Sequence, residues 1–289
     1  MHIRKTVKIL CRLAAVVVIL VVATLIAVQS PKVQTYLAGK ALTAIGNQID
    51  GTISIGRIHI DPFKAVVIKD LAVIDPAPFR DSSGRKSVDT LFRAGYVTAT
   101  FSIRSLLSGG SLHLSSAKVT DGVFALAIEP SDRSRAGDTT STTNLKRIFR
   151  LGKSGKEKSK SDKDVFTIGD VELSGMSFKM VNFQKDASKF GDEDINWFDL
   201  YVSDINLKGR KMKMKGPVMS GICDKMSFRE KSGYACYLLS GRTRVGDGKT
   251  VVEDLKLIDG WSNVDIPKLV MTYKDTDAWS DFISAVRMT

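Results

Sequence analysis

Ile53-Ser54-Ile55-Gly56-Arg57-Ile58-His59-Ile60 and Val66-Val67-Ile68-Lys69-Asp70-Leu71-Ala72-Val73 decide how this chain is read. Each runs apolar, any, apolar, a polar pair, then apolar, any, apolar. The pattern returns at Leu112-Leu114-Ala117-Val119, Phe166-Ile168-Val171-Leu173, Leu200-Val202-Ile205-Leu207 and Val264-Ile266-Leu269-Met271. Chance matches at this composition would number roughly three, so the context has to add to the count. It does: turn-forming residues follow at Asp61-Pro62, Asp75-Pro76, Asp121-Gly122, Gly175 and Gly209.

The polar pair carries the physical content. Strict alternation would send the second apolar pair to the opposite face of a sheet. One extra residue in a β-bulge restores the face and bends the strand. Repetition of that device predicts a mainly β chain: a strongly twisted, curved antiparallel sheet with one continuous apolar side, which must close on itself, stack on another sheet or shelter something apolar. Ordinary bulged strands in a sandwich fit the same periodicity. Few helices are available to cover the apolar side. Ser102 to Leu107 fits a turn or two, and Asn144 to Leu151 another. The stretch 130–164 is a basic loop rich in Ser, Thr and Lys, in which Leu145, Ile148 and Phe149 are expected to pack locally. The β segments are then 51–129 and 165–289. Alternation alone assigns Ile53, Ile55, Ile68, Val97, Phe101, Leu114, Phe166, Ile168, Leu200, Val202 and Ile266 to the apolar side.

Upstream of the strands the period changes. Between Lys32 and Gln48, Val33, Leu37, Ala41, Ala44 and Ile45 fall on one helical stripe, opened by Pro31 and ended by Gly46-Asn47. This amphipathic helix, 31–50, suits a membrane surface or the plugging of one end of a β structure. Before it, Leu13 to Val28, with Val18 and Leu20 at its centre, is apolar except for Thr24. With Ile9 to Cys11 added it reaches about 20 residues, the length that crosses a bilayer. Arg4, Lys5, Lys8 and Arg12 precede it, so segment 1–30 reads as a single-pass anchor with its N-terminus in the cytoplasm. A cleaved signal peptide is the competing reading, but Leu25-Ile26-Ala27-Val28-Gln29-Ser30 is a poor cleavage site. Either way the remainder is exported.

The formal net charge is +12, much of it between Lys146 and Lys163 and between Lys208 and Lys215. Such surfaces attract anionic headgroups or nucleic acid, or are solvated loops. Nucleic acid is not an expected partner of an exported domain. Of the three cysteines, Cys11 lies in the anchor, and an oxidising compartment permits Cys223 and Cys236 to pair without a spacing that demands it.

No catalytic constellation is visible. His59 and His113 occupy strand positions that alternate away from the apolar residues, and His2 precedes the anchor. Cys-x-x-Cys, His-Glu-x-x-His, phosphate-binding glycine loops and Gly-x-Ser-x-Gly are all missing. Asp192-Glu193-Asp194 lacks the ligand ladder of a calcium loop and reads as a solvated turn. The expectation is a protein that is not an enzyme and carries no cofactor or metal.

Pro31-Lys32-Val33-Gln34-Thr35-Tyr36-Leu37, followed by Gly51 to Ile60 and Val66 to Asp75, resembles the start of AsmA/TamB-like proteins. Thr100 to Leu107 and Met226 to Gly233 continue the likeness, which is closest to the N-terminal region of Bacteroidota-like translocation and assembly module subunits of the TamB type. It spans most of the chain, is weakest between Pro130 and Asp164, and rests on pattern. The resemblance implies an inner-membrane, single-pass protein whose bulk is periplasmic, with a long β-groove lined by apolar side chains. It implies phospholipid acyl chains as cargo, moved between inner and outer membranes, and outer-membrane assembly beside a barrel partner. Members of this family are much longer. The end at Phe282 to Thr289 brings no closing element, which implies a fragment or split reading frame whose barrel contacts lie in missing regions.

Overall fold

The computed structural model describes Ser30 and residues 49–61, 65–81, 87, 89–101, 113–130, 142–149, 165–191, 193–215, 218–246, 248–272 and 287–288. The anchor, the helix expected over 31–50 and the one expected over Ser102 to Leu107 lie outside the described residues. Among the described residues no helix is long and apolar enough to cross a membrane.

The described chain forms one open sheet. Its strands are β1 (Thr52–Asp61), β2 (Ala65–Ile74), β3 (Thr90–Phe101), β4 (His113–Glu129), the short β5 (Thr142–Thr143), β6 (Val165–Asn182), β7 (Asp199–Lys215), β8 (Val218–Glu230), β9 (Ala235–Gly246), β10 (Lys249–Asp259), β11 (Asn263–Thr272) and the short β12 (Arg287–Met288). Spatial order follows chain order except that β6 lies beside β4 while β5 pairs with the end of β4. Apart from Leu112, which lies outside the described residues, all six repeats of the apolar pattern fall on strands, and the described parts of the two β segments expected from the sequence join in this single sheet.

One pair departs from the antiparallel expectation. β4 and β6 run parallel, Leu114 beside Ile168 and Phe124 beside Phe178. Parallel neighbours need a long crossover connection, and the stretch after Glu129 supplies it by returning the chain to the far end of the sheet. On the way it forms α1 (Asn144–Ile148), shorter than the helix expected to Leu151 and capped by Thr143, whose Oγ1 accepts from Lys146 N at 3.1 Å.

The polar pairs behave differently from single-strand bulges. Asp70 and Asp121 adopt left-handed φ of 53°. Gly56 faces Asp70, which faces Gly95, which faces Asp121, and the strand registers pass unshifted through all four. Gly175, with φ of 61°, extends the row into β6, and Asp204, with φ of 52°, continues it one residue off register in β7. Short polar side chains support the left-handed region by local hydrogen bonding. The glycines leave room for them: a Cβ on Gly56 would lie 2.9 Å from that of Asp70, and one on Gly175 would lie 2.9 Å from Asp121 Oδ1. Adjacent strands therefore break alternation at the same level, and the sheet has a fold line. A second line crosses its other half through Ser115, Gly169 and Lys211, then Gly241, Asp254 and Pro267.

The strand bounds correct the turn assignment. Asp121-Gly122, Gly175 and Gly209 do not end strands; they lie inside β4, β6 and β7, which run 17, 18 and 17 residues. Only Asp75-Pro76, of the described sites, leaves the sheet. Composition cannot separate a turn from a fold line, since both need left-handed backbone or close approach.

Candidate functional site: the apolar face of the sheet

Residues directly opposite in a ladder share a face, so the registers trace the apolar side strand by strand. One rung, Ile58–Ile68–Val97–Val119–Leu173–Leu207–Met226–Leu239–Leu257–Val264, crosses all ten long strands. Beyond the first fold line lie Ile55–Leu71–Ala94–Gly122–Met176–Ile205 and Ile53–Val73–Phe92–Phe124–Phe178–Val202. Leu173 and Val119 from one side of the line pack with Met176, Ile205, Val202 and Phe178 from the other. The fold line thus keeps both apolar pairs on one face, as the repeat requires.

Every residue assigned to this side by alternation can now be located. Ile68 and Val97 sit on the rung that crosses the sheet, Ile55 on the next, and Ile53 and Val202 on the one beyond. Leu200 faces Met180, and Ile266 faces Leu255 beside Gly241. Across the second fold line, Leu114 faces Ile168, whose other neighbour is Met212, and Phe166 faces Met214. The backbone of Phe101 pairs with Leu114. Alternation missed Phe124, Phe178, Met212, Met214 and Met219. The first two follow the fold line at Asp121 and Gly175, where counting in twos loses the face; methionines carry no β signal.

The two ends of this face differ. At the end where Ile49 and Asp50 lead into β1, α1 lies on the sheet. Ile148 is wholly buried with Leu91 and Val73, and Ile53, Phe92, Phe124, Leu145 and Phe149 pack around them. The α1 residues therefore do not pack locally, as the sequence reading had it, but against strands far away in the chain. Asp50 N donates to Ile148 O at 2.7 Å. Asn144 is buried and acts as a piece of strand, accepting from Ala127 N and donating to Ala125 O, both at 2.9 Å.

A buried ion cluster fixes this cap. Arg147 Nη1 and Nη2 donate to both oxygens of Asp75 at 3.0 and 2.6 Å, while Nε and Nη2 donate to both oxygens of Glu129 at 3.2 and 3.0 Å. Both carboxylates are fully buried. Burial works against the guanidinium charge, but its hydrogen bonds to Asp75 and Glu129 and their negative charge outweigh it and hold Arg147 above its ordinary pKa. Planar bidentate pairing of this kind is the geometry arginine favours.

At the opposite end no described element covers the apolar face. Met214 and Met219 are 46% and 48% exposed. Beside Met219 an apolar-lined cavity of about 140 Å³ spans the second fold line, bounded by Leu207, Met212, Met219, Cys223 and Val245. Cys223 and Cys236 are free thiols, not a disulfide, and burial pushes both upward in pKa.

The other face of the sheet is polar. His59 and His113 are exposed there, alternating with the apolar residues of β1 and β4, and Lys69, Tyr96 and Thr120 form one of its rungs. Asp194 holds a tight turn, accepting from Gly191 N at 3.1 Å. Among the described residues no group of His, Cys, Asp and Glu is arranged to hold a metal ion. What the geometry offers is a continuous hydrocarbon surface, capped at one end and open at the other. Comparison with protein-family models finds no match for this chain, and comparison with curated proteins finds none either.

Proposed function

We propose that this is an inner-membrane-anchored periplasmic protein of the AsmA/TamB type, in which the apolar face curves into a groove that carries phospholipid acyl chains between the inner and outer membranes. The observation that carries this reading is the unbroken apolar rung from Ile58 to Val264, joined to an end where large apolar side chains stand in the open. Exposing an acyl chain to water costs about 0.8 kcal/mol per methylene. A face of Ile, Val, Leu, Phe and Met removes that cost, and the open edges leave headgroups hydrated. The fold lines serve the same task, since they bend long strands without interrupting the apolar side. The apolar segment Leu13 to Val28 and its cationic flank support the anchor.

The test is a charge on the apolar face. Ile168→Asp sits mid-sheet beside Leu114 and Met212. Cells depending on this protein should lose outer-membrane integrity when they carry the variant at normal abundance. Unimpaired integrity with stable protein would sink the lipid reading.

A second reading is favoured by one observation. Among the described residues, β11 is covered on its outer side only at Met271 and Thr272, by β12, which leaves the edge from Asn263 to Val270 able to accept a further strand. A scaffold that pairs with outer-membrane protein strands, beside a barrel partner, would use that edge. Ile168→Asp would leave such pairing intact, so the two readings separate on the same variant.

A further inference from the structure

The polar face holds a cleft that the lipid reading does not use. Where β7, β8, β9 and β10 run side by side, two cavities of about 310 and 220 Å³ share Ser220 and Arg244 in their walls. The rest of the lining includes Lys211, Arg242 and Glu253 in the first and Lys213 and Lys215 in the second. Register places Lys213, Ser220 and Arg244 directly across from one another, on the side opposite Met214 and Met219. Five exposed cationic side chains thus line the two cavities, with one carboxylate, Glu253, among the lining residues, and Lys215 and Arg244 also engage other groups. That carboxylate already faces Lys268 at 3.9 Å, and Arg242 is paired with Asp254.

Lys211 is the second, independent sign. Among the described residues, five non-glycine residues have left-handed φ, and four of them are aspartates: Asp70, Asp121, Asp204 and Asp254. Aspartate eases that conformation with its short polar side chain; lysine has no such means. Yet Lys211 stands on the second fold line with φ of 54°, its side chain in the wall of the cleft. Backbone strain that the local sequence does not relieve concentrates at binding sites.

We propose that this cleft binds a phosphate group, with Lys211, Lys213 and Arg244 as the principal donors and Ser220 contributing its hydroxyl. Charge-assisted hydrogen bonds from lysine and arginine suit phosphate oxygens, and the site would act whatever the opposite face carries. The phosphate has two possible sources, a phospholipid headgroup or a soluble anion. Full-length protein in zwitterionic detergent, titrated calorimetrically with inorganic pyrophosphate and with water-soluble dihexanoyl phosphatidylglycerol, distinguishes them. Binding of the lipid alone identifies a headgroup site, and binding of pyrophosphate alone a soluble-anion site; either supports the proposal. The double variant Lys213→Gln, Arg244→Gln should bind the active probe at least about tenfold more weakly. Lys211→Gly should weaken binding while thermal stability holds or rises, because glycine adopts left-handed φ without cost, so the loss cannot come from unfolding. No heat from either probe, or unchanged affinity in both variants, overturns it.

Discussion

The two ends of the apolar face are built from the same residue types and treat them in opposite ways. At the capped end, Ile148, Leu91 and Val73 are removed from water, and a half-buried arginine with two buried carboxylates holds the lid in place. At the open end, Met214 and Met219 stand half exposed beside a small apolar cavity. A sheet stabilised evenly along its strands would have no reason for this contrast. The capped end supplies the stability, and the open end spends some of it on exposed hydrocarbon. Under the proposed function, that places the fixed core where the chain arrives from the anchor and the accessible surface at the far end.

The largest expected effect comes from breaking the buried cluster. Arg147→Met leaves Asp75 and Glu129 uncompensated in the interior and should cost about 3–5 kcal/mol, read as a lower urea midpoint. Adding Asp75→Asn and Glu129→Gln should recover part of that loss. A pair of truncations sharpens the comparison further. Ile148→Ala at the capped end should cost about 2–5 kcal/mol, whereas Met219→Ala at the open end should stay within about 1 kcal/mol. Equal losses would erase the distinction between the ends.

Fold lines give smaller effects. Asp121→Val forces a β-branched residue into left-handed backbone and should cost about 1–2 kcal/mol, while Asp121→Gly should change stability by less than about 1 kcal/mol, both by thermal melting. The smallest effect is in the turn between β10 and β11. Asp259 accepts from Trp261 N, Ser262 N and Tyr234 Oη. Burial and then the Asp259 hydrogen bond push Tyr234 up to about 12. A folded-state pKa raised above the ordinary 10 means the neutral phenol is favoured by folding. Its contribution is complete below pH 10 and is lost as pH rises toward 12. An ultraviolet titration should show one tyrosine ionising late, and Tyr234→Phe should abolish that late phase.

Much of this was legible in the sequence, for a physical reason. Ile53 to Ile60 and Val66 to Val73 alternate in twos and resume the same face after the polar pair, so the strand content could be read directly, and counting in twos put Ile68 and Val97 on one side, where the registers place them side by side. What was lost depended on long-range pairing. Gly56 opposite Asp70 and Gly95 opposite Asp121 make a line only when the strands lie side by side, so Asp121-Gly122 passed for a turn. The parallel β4–β6 pair had no local signal, because it follows from where the 130–164 crossover delivers the chain. The role of Arg147 was equally invisible, as its partners lie 72 and 18 residues away.

The most direct test of the central claim is site-specific photo-cross-linking in cells, with the photoreactive residue placed in turn at Met219 on the open apolar end, Leu91 under the cap and Tyr96 on the polar face. Mass spectrometry of the purified full-length protein would identify the adducts. The account predicts phospholipid adducts at Met219 and none at Leu91 or Tyr96. Adducts equally frequent at Met219 and Tyr96, or lipid absent from Met219 in stable protein, would contradict it.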